Sequence, residues 1–178
     1  MKNLKQLFIC LLSCSITLSL LFSADALFAN SKISSDDMHL WHYVLSNNVK
    51  RSSNKFSIRY SKEGNSDWNK AITNAVKKWN AQGASITISA SGTVEFESTN
   101  QFNTTSWMGS CVTNSYVLLN DNAVSNDTQR EEVVAHEIGH LLGLGHVSCD
   151  YELMRTYGLK GSSGLYVGDI AGYKKIWK

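Results

Sequence analysis

The chain opens on an apolar run and settles into alternating and helical periods only after residue 54. Lys2 and Lys5 precede a mainly apolar stretch from Leu7 to Phe22, and the small residues Ala24-Asp25-Ala26 follow it. A positive start, an apolar core and a small-residue exit have the order of a secretory signal peptide, so residues 1–26 are predicted to be cleaved after Ala26, with Ala29 as second choice. Residues 27–54 are polar apart from a knot at Trp41, His42 and Tyr43, and read as an N-terminal arm or a short pro-segment.

From residue 55 onward the periods are regular. Phe56, Ile58 and Tyr60 alternate in "KFSIRYS", the mark of a half-buried strand. In "SDWNKAITNAVKKWNAQG" the apolar residues Trp68, Ile72, Ala75, Val76 and Trp79 recur at helical spacing, with Ser66 or Asp67 as a cap and Gly83 as a stop. "ASITISAS" and "GTVEFEST" alternate again, and "CVTNSYVLLN" supplies one or two further strands. "DTQREEVVAHEIGHLLG" predicts a helix over 129–142, opened by a Thr128/Glu131 capping box and faced by Val134, Ile138 and Leu141. Strand, helix, several strands and a second helix make an α+β layout in which helices pack on a sheet.

Composition narrows the class. Of 17 basic and 15 acidic residues, Lys2, Lys5 and Asp25 fall in the leader, which leaves a formal charge of +1 and no basic stripe for nucleic acid. The apolar run is short and broken by Ser, Thr and Cys, so no membrane association is expected once it is cleaved. "LLSC" loosely resembles a lipoprotein box, which leaves a surface peptidase lipid-anchored through Cys14 as an alternative; the apolar run continuing past Cys14 argues against it. Cys10 and Cys14 leave with the signal, and two cysteines in an exported chain most often pair, so a Cys111–Cys149 disulfide is expected, two free thiols being the alternative.

Three of the five histidines stand in "HEIGHLLGLGH". On a helix His136 and His140 lie four apart on one face, about 6 Å along the axis. Their imidazoles can share a metal ion, and Glu137 lies beside it within reach of a bound water. Gly143 sits where a helix commonly ends in a left-handed residue, so the chain can turn and return His146 to the same ion. Three neutral nitrogens with a fourth position open are a catalytic zinc arrangement, whereas structural zinc sites are closed by four protein ligands.

His136, Glu137, His140, Gly143 and His146 match H-E-x-x-H-x-x-G-x-x-H, and the chain thereby resembles the metzincin zinc metallopeptidases. Met154 in "YELMRTYG" resembles the methionine of that family's Met-turn, and "GDIAGYKKIW" resembles the C-terminal helix of its matrixin branch. The resemblance covers about residues 55–178. It implies a twisted, mostly parallel five-strand sheet with two long helices, a small C-terminal subdomain with Met-turn and final helix, and a cleft between them. It also implies a secreted endopeptidase with one catalytic Zn2+, Glu137 as general base, and a protein or peptide substrate held extended along an edge strand within residues 103–120. A monomer is expected.

Several features depart from the matrixin pattern. The proline and tyrosine that usually follow the Met-turn are replaced by Arg155, Thr156 and Tyr157, which leaves Tyr157 as a candidate pocket residue. The cysteine-bearing pro-domain of typical matrixins is missing from this reading; if latency exists, Asp36 or Asp37 of the arm are the candidates for covering the metal, a solvated acidic pair being the ordinary reading. "NDNAVSND" is rich in oxygen ligands but lacks calcium-loop spacing and is read as a loop, so calcium has no motif to support it. His39 and His42 have no partners at ligand spacing. A non-catalytic secreted zinc-fold binding module is the main rival, and Glu137 counts against it, since a structural site has no use for a base beside the metal.

Overall fold

The computed structural model describes residues 43–46, 51–103 and 105–178; the expected leader 1–26 with Cys14, and Asp36, Asp37, His39 and His42, lie outside these residues. The alternating segments form β2 (Lys55–Lys62), β3 (Ser85–Ile88), β4 (Val94–Thr99), β5 (Gly109–Thr113) and β6 (Tyr116–Asn120), preceded by a two-residue strand β1 (Val44–Leu45). Strands β2 to β6 make one sheet in the order β3-β2-β4-β6-β5, parallel except for β5 against β6. Connection length explains the directions: β2 and β3 are joined across helix α1 (Asn69–Ala81), a crossover that a parallel pair requires, whereas only Asn114 and Ser115 separate β5 from β6. The mostly parallel sheet with helices is the α+β fold read from the sequence.

The predicted apolar faces meet in the core. Ile58, Val94, Phe96, Val117 and Leu119 of the sheet are fully buried with Trp68, Ile72, Ala75 and Trp79 from α1 or its cap, and with Val134, Ile138 and Leu141 of helix α2 (Asp127–Leu141). Both buried indoles find an acceptor, as a desolvated N–H must. Trp79 Nε1 donates to Ala135 O at 2.9 Å and Trp68 Nε1 to Asp121 Oδ1 at 2.6 Å. Asp121 also accepts from Ser66 N, so the oxygen-rich stretch read as a loop forms a short 3-10 turn, Asp121–Ala123, whose carboxylate serves the chain's own donors.

Helix boundaries differ from those predicted. Residue Trp68 caps α1 without a side-chain hydrogen bond, while Asp67 accepts from Asn69 N; Gly83, at φ +107°, ends the turn beyond the helix. Helix α2 starts at Asp127, capped by Asn126, whose Oδ1 accepts from Gln129 N, while Gln129 Oε1 accepts in return from Ser125 N. The N-cap therefore lies two residues earlier than the predicted Thr128, and Gln129 reaches the residue before the cap rather than closing a box. Glu131 has a stronger partner: it faces α1, where it binds the Lys78 ammonium together with Asn74 and Ser163 Oγ. The last helix, α3 (Val167–Trp177), docks on α2 through Trp177 Nε1, which donates to Leu142 O at 2.8 Å. No helix among the described residues is long and apolar enough to cross a membrane.

Candidate active site

Helix α2 carries His136 and His140, and Gly143, at φ +97°, bends the chain after it. The bend leads through β7 (Leu144–Gly145) to His146, whose Nε2 lies 3.0 Å from His136 Nε2 and 3.1 Å from His140 Nε2. Two ligand nitrogens, each about 2.0–2.1 Å from a tetrahedral zinc, stand about 3.3 Å apart, so the spacing suits that ion. The opposite ring atoms decide the tautomers. His136 Nδ1 lies 2.8 Å from Leu153 O and His140 Nδ1 2.8 Å from Leu144 O. A carbonyl only accepts, so each Nδ1 carries the proton and each Nε2 presents a lone pair toward the common point. The residues present therefore fit a metal, and His136, His140 and His146 are the one such group among the described residues.

Burial, and then the neighbouring histidines, hold these rings neutral: His136 is pushed down to about 3 and His140 well below the ordinary imidazole value. In the unfolded chain each takes up a proton near pH ~6.5. Folded values are depressed, so below that pH the unfolded state binds protons that the folded state refuses. The metal-free protein is expected to lose stability as pH falls from about 6.5 toward 3, by up to ~1.4 kcal/mol per pH unit for each histidine. Urea unfolding of chelator-treated protein across this window measures the slope, and a flat profile would contradict it.

The His136 partner, Leu153, is itself held. Its N–H donates to Asp169 Oδ2 at 3.0 Å and that of Met154 to Asp169 Oδ1 at 3.2 Å, while Asp169 also accepts from Tyr166 N at the start of α3. Burial pushes the Asp169 carboxyl up to about 6, with the three N–H donors working the other way. Met154 is buried directly under α2, and Gly139 between the two helical histidines makes this possible, since a Cβ there would run into Met154 Sδ. Tyr157, by contrast, is 87% exposed.

Glu137 is buried on α2 beside β5. Nothing in the spacing singles out Gly109, yet a Cβ at that position would lie 2.7 Å from both Glu137 Oε1 and Val133 Cγ1. Its hydrogen is the room in which the carboxylate sits. Gly109→Ala is therefore expected to displace Glu137 and lower turnover about tenfold or more, in line with the sensitivity of reacting groups to small misplacements, while the histidines still bind metal. Parallel measurement of kcat and bound metal tests this; unchanged kcat would show that the carboxylate tolerates the shift.

The expected Cys111–Cys149 disulfide is not formed, and both cysteines are free thiols. Cys111 stands where β5 loses its register, its Sγ donating to Thr113 O at 3.4 Å, and Cys149 lies in the turn that Glu152 N closes. Both pack against the core as small apolar groups, and burial, reinforced by the charge of Glu137, raises the Cys111 pKa away from the thiolate that disulfide exchange needs. Counting cysteines carries no geometry, and here the geometry decides.

The profile of the matrixin family matches residues 45–178. No curated protein matches the chain.

Proposed function

The chain belongs to the matrixin family, which makes it a metallopeptidase, and on that premise we propose that it is a secreted, zinc-dependent endopeptidase cutting proteins with Glu137 as general base. The observation that carries this reading is the commitment of two Nδ1–H groups to Leu153 O and Leu144 O, which aims the Nε2 atoms of His136 and His140 at that of His146. Zinc held there would supply Lewis acidity, polarising a scissile carbonyl and lowering the pKa of water at the site.

The chain's own residues do the rest. Glu137 takes the proton of the attacking water and delivers it to the leaving amine, roles that require it to lie next to the metal ligands on the same helix. Among the described residues strand β5 pairs with β6 alone, so its other edge can offer backbone N–H and C=O groups to an extended substrate, and Gly109 on that strand lies close to Glu137. The protein acts as a monomer on this reading, with no membrane contact and no nucleic acid.

Incubation with an unfolded protein substrate tests the proposal. Cleavage is expected, stopped by a chelator and restored by Zn2+; a zinc-loaded chain that cuts no protein or peptide would refute it. Secretion is tested separately by the N-terminal mass of exported protein, expected to begin near Leu27, whereas a lipid on Cys14 would replace that conclusion with a surface anchor.

A further inference from the structure

We propose that the segment containing β1 is a positioning strap for the metal centre, and that any N-terminal maturation has to stop upstream of Tyr43. The inference rests on the reading that His136, His140 and His146 hold a metal. Strand β1 pairs antiparallel with β7, Val44 opposite Gly145 and Leu45 opposite Leu144. Ser46 N donates to Gly143 O at 2.7 Å, and Arg51 N to Leu141 O at 3.3 Å. The residues gripped in this way are the end of α2, the left-handed glycine, and the two residues that deliver His146.

A helix leaves its last carbonyls without intrahelical partners, and here the strap takes that of Leu141 and, just beyond the helix, that of Gly143. Leu141 O is taken by Arg51 and Gly143 O by Ser46, while Trp177 of α3 takes Leu142 O and the His140 ring takes Leu144 O. The peptide that sets the His140 tautomer is thus the one lying opposite Leu45. Tyr43 and Arg51 are each held in turn. Tyr43 is buried against α3, where a Cβ on Gly172 would come within 3.0 Å of Tyr43 and 2.7 Å of Leu144 Cδ2. Arg51 donates to Asn114 O between β5 and β6, and its guanidinium lies 4.9 Å from the centre of the Phe56 ring.

A two-residue ladder contributes little to a core built from the five-strand sheet and the two helices packed on it. What it restrains is local: the path from Gly143 to His146. Loss of the strap should therefore loosen metal binding more than it lowers the stability of the metal-free fold. In the stretch 27–54, read as an arm or a short pro-segment, the part from Tyr43 is then needed by the site, and cleavage beyond it would disable the enzyme.

The test uses the full chain with Ser46→Pro, which deletes the N–H that holds Gly143 O, and Ser46→Ala, which keeps it. Tyr43→Ala loosens the outer anchor independently. Zinc affinity is read by competition with a chromophoric chelator, and the fold by thermal melting of the zinc-free protein. Ser46→Pro is expected to melt cooperatively within a few degrees of wild type and Tyr43→Ala cooperatively but about 10 °C lower, since a buried aromatic side chain is removed. Both are expected to bind zinc about 10–100-fold more weakly, the usual loss when a support behind a metal ligand goes. Ser46→Ala is expected to match wild type. Wild-type zinc affinity in both Ser46→Pro and Tyr43→Ala would overturn the proposal, as would loss of the cooperative melt in both, which would make the segment part of the general fold. An unmodified chain that binds no zinc would sink the metallopeptidase reading instead. Sequencing the active exported form adds an arm: a first residue at or before Tyr43 supports the strap, and one beyond Ser46 contradicts it.

Discussion

Glu137→Gln is expected to retain its metal and to cleave peptide bonds about 10²–10⁴-fold more slowly, the usual contribution of a positioned general base. Glutamine has nearly the same volume, so the packing of Glu137 against Gly109 and Val133 is preserved and the fold is not disturbed. The three ligand nitrogens belong to other residues, and two of them are aimed by Leu153 and Leu144 rather than by Glu137. What the amide cannot do is accept the proton from water and hand it to the amine. Measuring kcat/KM together with bound zinc separates these points. A variant that holds zinc and cuts as fast as wild type would remove Glu137 from the mechanism.

Asp169→Ala is expected to destabilise the protein by about 3–5 kcal/mol, because three N–H groups lose their acceptor and a buried unmade hydrogen bond costs about 1–3 kcal/mol. Those donors belong to Leu153, Met154 and Tyr166. Two of them lie in the turn that passes under α2, and Leu153 O orients His136, so zinc affinity should fall along with stability. Chemical denaturation gives the first quantity and chelator competition the second. Destabilisation below about 1 kcal/mol would mean that water or a shifted backbone replaces the carboxylate.

Asp169 also illustrates what pattern reading misses. "GDIAGYKKIW" has a helical pattern, and the acidic residue in its first turn is an ordinary helix opening. Only the folded chain shows that the same carboxylate, besides capping α3 through Tyr166 N, reaches across to hold Leu153 and Met154. Gly109 is similar, since no local rule marks a glycine in a strand as the room for a carboxylate on another element. The strap at 43–46 was invisible for a different reason: two residues are too short to show a period. The disulfide was expected from export and cysteine number, and the thiols stand elsewhere because nothing in that count fixes where β5 and the turn after His146 lie.

What was legible along the chain is everything set by near neighbours. Alternation marked the strands, the 3.6-residue period marked the faces that Trp79 and Ile138 bury, and the H-E-x-x-H spacing with Gly143 put two histidines on one helical face and a bend after it. These follow from backbone geometry within a few residues, where side-chain direction is determined by position alone. Contacts between residues far apart decided the remainder: which carbonyl holds each imidazole, which glycine admits Glu137, and which N–H groups close the end of α2. Such partners are selected by how whole elements pack, and packing depends on many weak contacts at once, so no short window of sequence contains them.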